Sequence, residues 1–174
     1  MPRKGVDTVI RAMPAILRKF PELHYLVAGE GPDIDRLTQL RGQVGVTNRV
    51  RFIGRLKQSE VAAFHHAIDA FVMPARQEGP SVEGFGLVFR EANACGRPVV
   101  AGLSGGVPDA VRDGETGLLV PPNAADAVAT AVIQLLSDPE KARALGAAGR
   151  ALIANEGTWR HTADRVLSAC NTLI

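Results

Sequence analysis

Two carboxylates, Glu83 and Glu91, stand with seven residues between them in Glu83-Gly84-Phe85-Gly86-Leu87-Val88-Phe89-Arg90-Glu91-Ala92. Glu83 falls in a turn-rich loop over 75–85, and the apolar spacing predicts that the loop feeds a helix over 87–95 carrying Glu91. Gly84 and Gly86 flank Phe85 just before the helix begins, so a ligand can approach the backbone closely. The unpaired N–H groups and the dipole of a helix start favour an anion such as phosphate. Glu91 projects from a largely apolar helix, beside Leu87, Val88, Ala94 and Cys95. A carboxylate on such a face needs a partner. Two adjacent sugar hydroxyls would serve, and so would an arginine such as Arg97 or Arg112. Paired carboxylates can also do acid/base work on a glycosidic bond, but the glycine-flanked helix start points to phosphate.

The elements that must position this pair alternate along the chain. Val6, Val9, Ile10, Met13, Ile16, Leu17 and Phe20 recur at helical spacing, with Pro14 predicting a kink or split and Pro21 a stop. Short apolar runs at 23–28, 50–53, 68–73, 98–101 and 117–120 read as strands. Further helices are expected at about 33–43, 59–67 and 107–112, then at 124–136, 139–154 and 159–173. Short strands spaced by helices imply a parallel sheet covered on both faces, a Rossmann-like three-layer α/β/α sandwich. Ligands of such sheets bind beyond the carboxyl ends of the strands. Glycines gather at those ends: Gly29 and Gly31, Gly54, Gly84 and Gly86, Gly105 and Gly106. The chain opens on a helix, whereas a doubly wound domain normally begins with a strand, so the first strand is expected to lie outside this sequence.

The 174 residues suit a single domain over 1–174, with 46% apolar and 22% charged residues. A net charge of +2 and 5% aromatics argue against a nucleic-acid partner. Cys95 and Cys170 form neither a disulfide framework nor a zinc motif. No apolar run of about 18 residues and no signal peptide is visible, and the expected compartment is the cytoplasm. Gly29-Glu30-Gly31 is not a dinucleotide fingerprint, because Ile34 stands where that pattern needs glycine. No DxD-type metal signature is visible either, so a donor site without metal or cofactor is expected. The adjacent His65 and His66 read as solvated or satisfied side chains, Trp159 as a packing anchor, and 138–155 as a solvated covering helix.

The whole chain resembles the C-terminal, donor-binding domain of a retaining GT-B glycosyltransferase of glycosyltransferase family 4. The Glu83/Glu91 segment resembles that family's E-x7-E signature, and other landmarks match in order. They include Arg3-Lys4-Gly5, Val27-Ala28-Gly29-Glu30-Gly31-Pro32, Val50-Arg51-Phe52-Ile53-Gly54, Glu91-Ala92-Asn93-Ala94-Cys95-Gly96-Arg97-Pro98, Ser104-Gly105-Gly106-Val107-Pro108 and Gly114-Glu115-Thr116-Gly117.

The resemblance implies roles. Glu91 would bind the ribose hydroxyls of a nucleotide-diphosphate sugar, and Glu83 the hydroxyls of the transferred sugar. The backbone around Gly84, Phe85, Gly86 and Leu87 would hold the diphosphate and sugar. Lys4 would neutralise the departing phosphate. Arg55 falls where the family places the nucleobase, and Gly105 and Gly106 beside the donor. The family's phosphate-binding arginine and its N-terminal acceptor domain, which usually carries any membrane association, are expected to lie outside this chain, which alone would be catalytically poor. Arg90, Asn93 and Asp109 depart from commoner family residues without touching the carboxylate pair. Two other readings share these residues: a non-catalytic nucleotide-sugar-binding module, and half of a sugar-nucleotide epimerase.

Overall fold

The computed structural model describes residues 1–171. A short 3-10 turn at Pro2–Lys4 leads into α1 (Val6–Leu17), followed by β1 (Tyr25–Ala28), α2 (Ile34–Gln43), β2 (Val50–Gly54), α3 (Gln58–Ala67) and β3 (Phe71–Met73). Then come α4 (Leu87–Ala94), β4 (Val99–Gly102), α5 (Val107–Ala110), β5 (Gly117–Val120), α6 (Ala125–Ser137), α7 (Pro139–Glu156) and α8 (Trp159–Asn171). The α/β alternation is the one the apolar periodicity predicts. The last two residues of the expected final helix lie outside the described residues.

All strand pairing is parallel, but in two pieces rather than the one sheet expected. β1 pairs with β2, and β3, β4 and β5 pair in that order. One core lies between β4/β5 and the helices α1, α2 and α6, with Ile10, Met13, Ile16, Val100 and Leu135 almost fully buried. A second core lies on the opposite face under α4 and α5, around Met73, Phe89, Val99 and Val107.

Several local expectations are corrected. α1 runs unbroken through Pro14 to Leu17; the proline forgoes only its own amide bond, and Arg18 N still donates to Pro14 O at 3.3 Å. The strands at 23–28 and 68–73 are shorter than their apolar runs, because pairing begins only at Tyr25 and Phe71. α7 is not merely solvated: it packs on α4 and buries Leu145, Gly146 and Gly149. Trp159 does not anchor packing, being 77% exposed, and α8 has no buried residue among those described. His65 is neither solvated nor satisfied. It is 2% exposed, edge-on to Phe64 and Phe71, and its Nδ1 has no hydrogen-bond partner among the described residues.

Candidate functional site

Gly86 caps α4 in the left-handed region at φ 80 and ψ 58. A Cβ there would lie 2.5 Å from the Phe89 ring, so both the conformation and the buried phenylalanine require glycine. No side chain caps α4 and its first turn holds no acidic residue, which leaves the leading amides open to an anion. Phe85 is held by the Arg90 guanidinium, 5.4 Å from the ring centroid.

Gly105 and Gly106 support the loop from beneath. Gly106 N donates to Glu83 O at 3.0 Å. A Cβ on Gly106 would fall 1.8 Å from Gly84 O, and one on Gly105 would fall 2.4 Å from Glu83 O. The two glycines thus let two backbone segments touch.

Glu83 is 8% exposed, and its carboxylate accepts from Lys4 Nζ. Arg3 adds a 3.6 Å ion pair to the same oxygen and donates to Val82 O at 2.9 Å. Lys4 and Glu83, 79 residues apart, are therefore one unit. The turn carrying Lys4 is held by Gly5, at φ 71 and packed against Pro74 O.

Sequence reasoning missed the clamp behind this turn. Arg76 N donates to Arg3 O at 2.8 Å. The Arg76 guanidinium donates to Asp7 at 2.7 and 3.0 Å and to Glu78 at 3.0 Å. The only local signal was an arginine following Pro74-Ala75, and its partner Asp7 is 69 positions away. Burial pushes the Asp7 carboxyl up, but the Arg76 hydrogen bond and the Arg76 and Arg36 charges outweigh it and hold the pKa below 3.8. Such a carboxylate adds stability above pH 3.8 that is lost as pH falls through the lower folded value. Asp7→Asn is expected to cost about 1 kcal/mol at neutral pH. In urea titrations the gap between variant and parent closes as the pH drops below 3.8.

Glu91 does not follow the alternative in which an arginine pairs with it. It is exposed on α4 rather than buried, and its side chain makes no hydrogen bond or ion pair among the described residues. Neither proposed arginine partner is used. Arg97 donates to His66 O at 2.6 Å, and Arg112 pairs with Glu115 and Glu156. The helix periodicity was right about an apolar face, but Glu91 lies off it.

Lys4, Arg55 and Glu91 line one cavity of about 830 Å³, together with Gly29 and Gly31 at the end of β1. Glu83, Gly84–Leu87 and the Gly105-Gly106 pair do not line it; Lys4 joins the two groups through its bond to Glu83. Among the described residues no cluster of three or more His, Cys, Asp or Glu could hold a metal ion, and no helix is long and apolar enough to cross a membrane.

The chain is 42% identical over 168 residues to the GDP-mannose-dependent alpha-(1-6)-phosphatidylinositol monomannoside mannosyltransferase of Mycolicibacterium smegmatis. The match covers 95% of this chain and 44% of that protein, so the chain spans less than half the length of this curated relative. The fold is similar to sucrose-phosphate synthase from Thermosynechococcus elongatus, with a TM-score of 0.83 and 34% identity, over 99% of this chain and 43% of that one. It is also similar to the C-terminal domain of a group 1 glycosyl transferase, LpcC, from Francisella tularensis, with a TM-score of 0.80 and 29% identity, over 91% of this chain and 82% of that one. The α/β architecture is thus a Rossmann-like half of a GT-B fold. A family model for group 1 glycosyl transferases matches residues 1–152, and the chain belongs to that family.

Proposed function

We propose that the chain is the donor-binding half of a retaining glycosyltransferase of family 4, and that its donor is a nucleotide-diphosphate sugar, GDP-mannose. The observation that carries the reading is the convergence of Lys4, Arg55 and Glu91 on one cavity that runs along the parallel strands β1 and β3 to Gly29 and Gly31, beyond the carboxyl end of β1. The donor's name comes from the 42% identical relative.

In this reading Glu91, without a hydrogen-bond or ion-pair partner among the described residues, accepts from the two ribose hydroxyls. The base lies against the segment at Gly54-Arg55. The amides of Phe85, Gly86 and Leu87 hold the diphosphate and sugar, and Lys4 meets the diphosphate from the other side. As the bond from the sugar to phosphate breaks, negative charge grows on the leaving diphosphate. Lys4 and the start of α4 are fixed before that moment, so their charge acts without reorganisation. Glu83 holds Lys4 in the empty site and turns to the sugar hydroxyls when the donor arrives. Orienting the donor between Glu83 and Glu91 removes unproductive conformers. The acceptor belongs to an N-terminal domain of the full enzyme. An acceptor such as a phosphatidylinositol mannoside would bring that cytoplasmic enzyme to the inner membrane face.

Calorimetric titration with GDP and GDP-mannose tests this. The parent chain binds both, and Glu91→Ala binds each about tenfold more weakly, the effect of losing roughly 1.4 kcal/mol of hydrogen bonding. Equal affinities for parent and variant would sink the ribose assignment.

A further inference from the structure

Lys4 is flanked on both sides by contacts to one short segment, residues 74–76, which follows β3. Before Lys4, Arg3 O accepts from Arg76 N at 2.8 Å. After it, Gly5 lies so close to Pro74 that a Cβ there would fall 2.1 Å from Pro74 O. In the first turn of α1, the Asp7 carboxylate accepts from the Arg76 guanidinium at 2.7 and 3.0 Å. Arg76 thus grips the chain on either side of Lys4 with two different groups, its backbone amide and its side chain. The same guanidinium donates to Glu78 at 3.0 Å and to Thr8 Oγ1 at 3.3 Å. Glu78 opens the loop that returns with Glu83, and it exchanges backbone hydrogen bonds with Ser81 at 2.8 and 3.0 Å. Both members of the Lys4–Glu83 pair are therefore tied to one side chain.

Stability alone does not account for a guanidinium in this place. Arg76 is 7% exposed. Taking its charge out of water offsets much of what the ion pairs contribute, and apolar side chains of similar volume fill such a space as well. What an apolar side chain cannot do is fix direction. A planar fork with donors at set angles holds both oxygens of Asp7 and also Glu78. Arg36 adds a further tie, donating to Asp7 at 3.4 Å and to Asp33, at the start of α2, at 2.6 and 2.8 Å. The series Glu78, Arg76, Asp7, Arg36, Asp33 joins three segments of the candidate site: the turn after β1, the turn with Lys4 and the loop with Glu83.

We propose that Arg76 is a positioning residue for the donor's phosphates: it sets the place of Lys4, and through the loop that of Glu83, so that the Lys4 ammonium meets the diphosphate. Arg76 does not touch the donor. It does not line the cavity that Lys4 lines, and its donors are directed to Asp7, Thr8 and Glu78. This role rests on the donor reading above and goes beyond it, because phosphate affinity then depends on a side chain outside the site.

NMR titrations with GDP and with guanosine test it. Guanosine carries the base and ribose but no phosphate for Lys4 to meet. Arg76→Met fills the space and removes the fork. It is expected to weaken GDP binding about tenfold, part of the loss that a displacement of about 1 Å brings at a positioned site, and to leave guanosine affinity parental. In a Lys4→Ala chain the same substitution is expected to weaken GDP by less than about twofold, because no lysine is left to misplace. Arg76→Lys keeps the charge but not the fork, and is expected to retain at least about a threefold loss. Should Arg76→Met fail to fold, Arg76→Lys carries the same cycle. Parental GDP affinity in Arg76→Met overturns the proposal. So does a loss that persists in full without Lys4, or an equal loss for GDP and guanosine, since either means a generally loosened fold. Full recovery in Arg76→Lys overturns it too, since charge alone would then suffice. In all of these cases the parent binds GDP and the donor reading stands. A parent chain that binds no GDP overturns the donor reading and the role of Arg76 together.

Discussion

Lys4→Ala weakens the binding of GDP to this chain about 30-fold, the loss of roughly 2 kcal/mol expected when a charge-assisted contact to phosphate is removed. The size of the effect follows from how Lys4 is held. Its side chain is 30% exposed, Gly5 fixes the turn behind it, and Glu83 already orients its ammonium. Little side-chain entropy is left to lose when a diphosphate arrives. The same pair makes a second, opposite outcome part of the result. Glu83 holds the lysine but also repels a diphosphate, so Glu83→Gln frees Lys4 and binds GDP at least as tightly as the parent. Its discrimination in favour of GDP-mannose over GDP falls, because the sugar has lost its acceptor. A double variant in which the Lys4 effect on GDP is unchanged by Glu83→Gln would show that the two side chains act independently. A Lys4→Ala chain with parental GDP affinity would remove Lys4 from the site altogether. Thermal unfolding of each variant separates either result from loss of fold.

The carboxylate pair and the helix start were legible because they are local. Gly84-Phe85-Gly86 followed by helical spacing places an uncapped helix N-terminus with no knowledge of the rest of the chain, and Gly86 indeed takes the left-handed cap. The alternation of strands and helices was legible for the same reason, since it depends on runs of four to a dozen residues. What was hidden is non-local. The Asp7–Arg76 clamp joins positions 69 apart, and the Lys4–Glu83 pair joins positions 79 apart. No periodicity links such residues; topology alone brings α1 and the loop after β3 together. Glu91 shows a second limit. The spacing of Leu87, Val88 and Ala94 marks an apolar helix but not which side the sheet covers. The structure buries Phe89, Ala92 and Asn93 and leaves Glu91 and Leu87 outside. His65 departs from expectation for a related reason, because a histidine on a short helix gives no sign that Phe64 and Phe71 will enclose it.

Gly106→Ala should damage the site more than the fold. Its Cβ would sit 1.8 Å from Gly84 O and 3.4 Å from the Phe85 Cα, well inside contact distance of a backbone that carries no flexible side chain to yield. One of the two segments must move by an ångström or more, and the backbone of Gly84 and Phe85 is what the new methyl meets. Overpacking of this kind costs about 2–3 kcal/mol of stability. The binding loss is larger. Gly106 N donates to Glu83 O, so the displaced loop takes with it the Glu83 carboxylate, its bond to Lys4 and the amides before α4. A misplacement of about 1 Å at a positioned site costs on the order of a hundredfold. Gly45→Ala provides the contrast. It strains a glycine at φ 75, but nothing lies within 4 Å of the new methyl, so stability falls while GDP affinity stays parental. If Gly106→Ala lost stability but bound GDP normally, the contact between the glycine pair and the loop would be packing only. The opposite pattern, affinity lost with a modest fall in melting temperature, ties the loop after β4 to the geometry of the phosphate site.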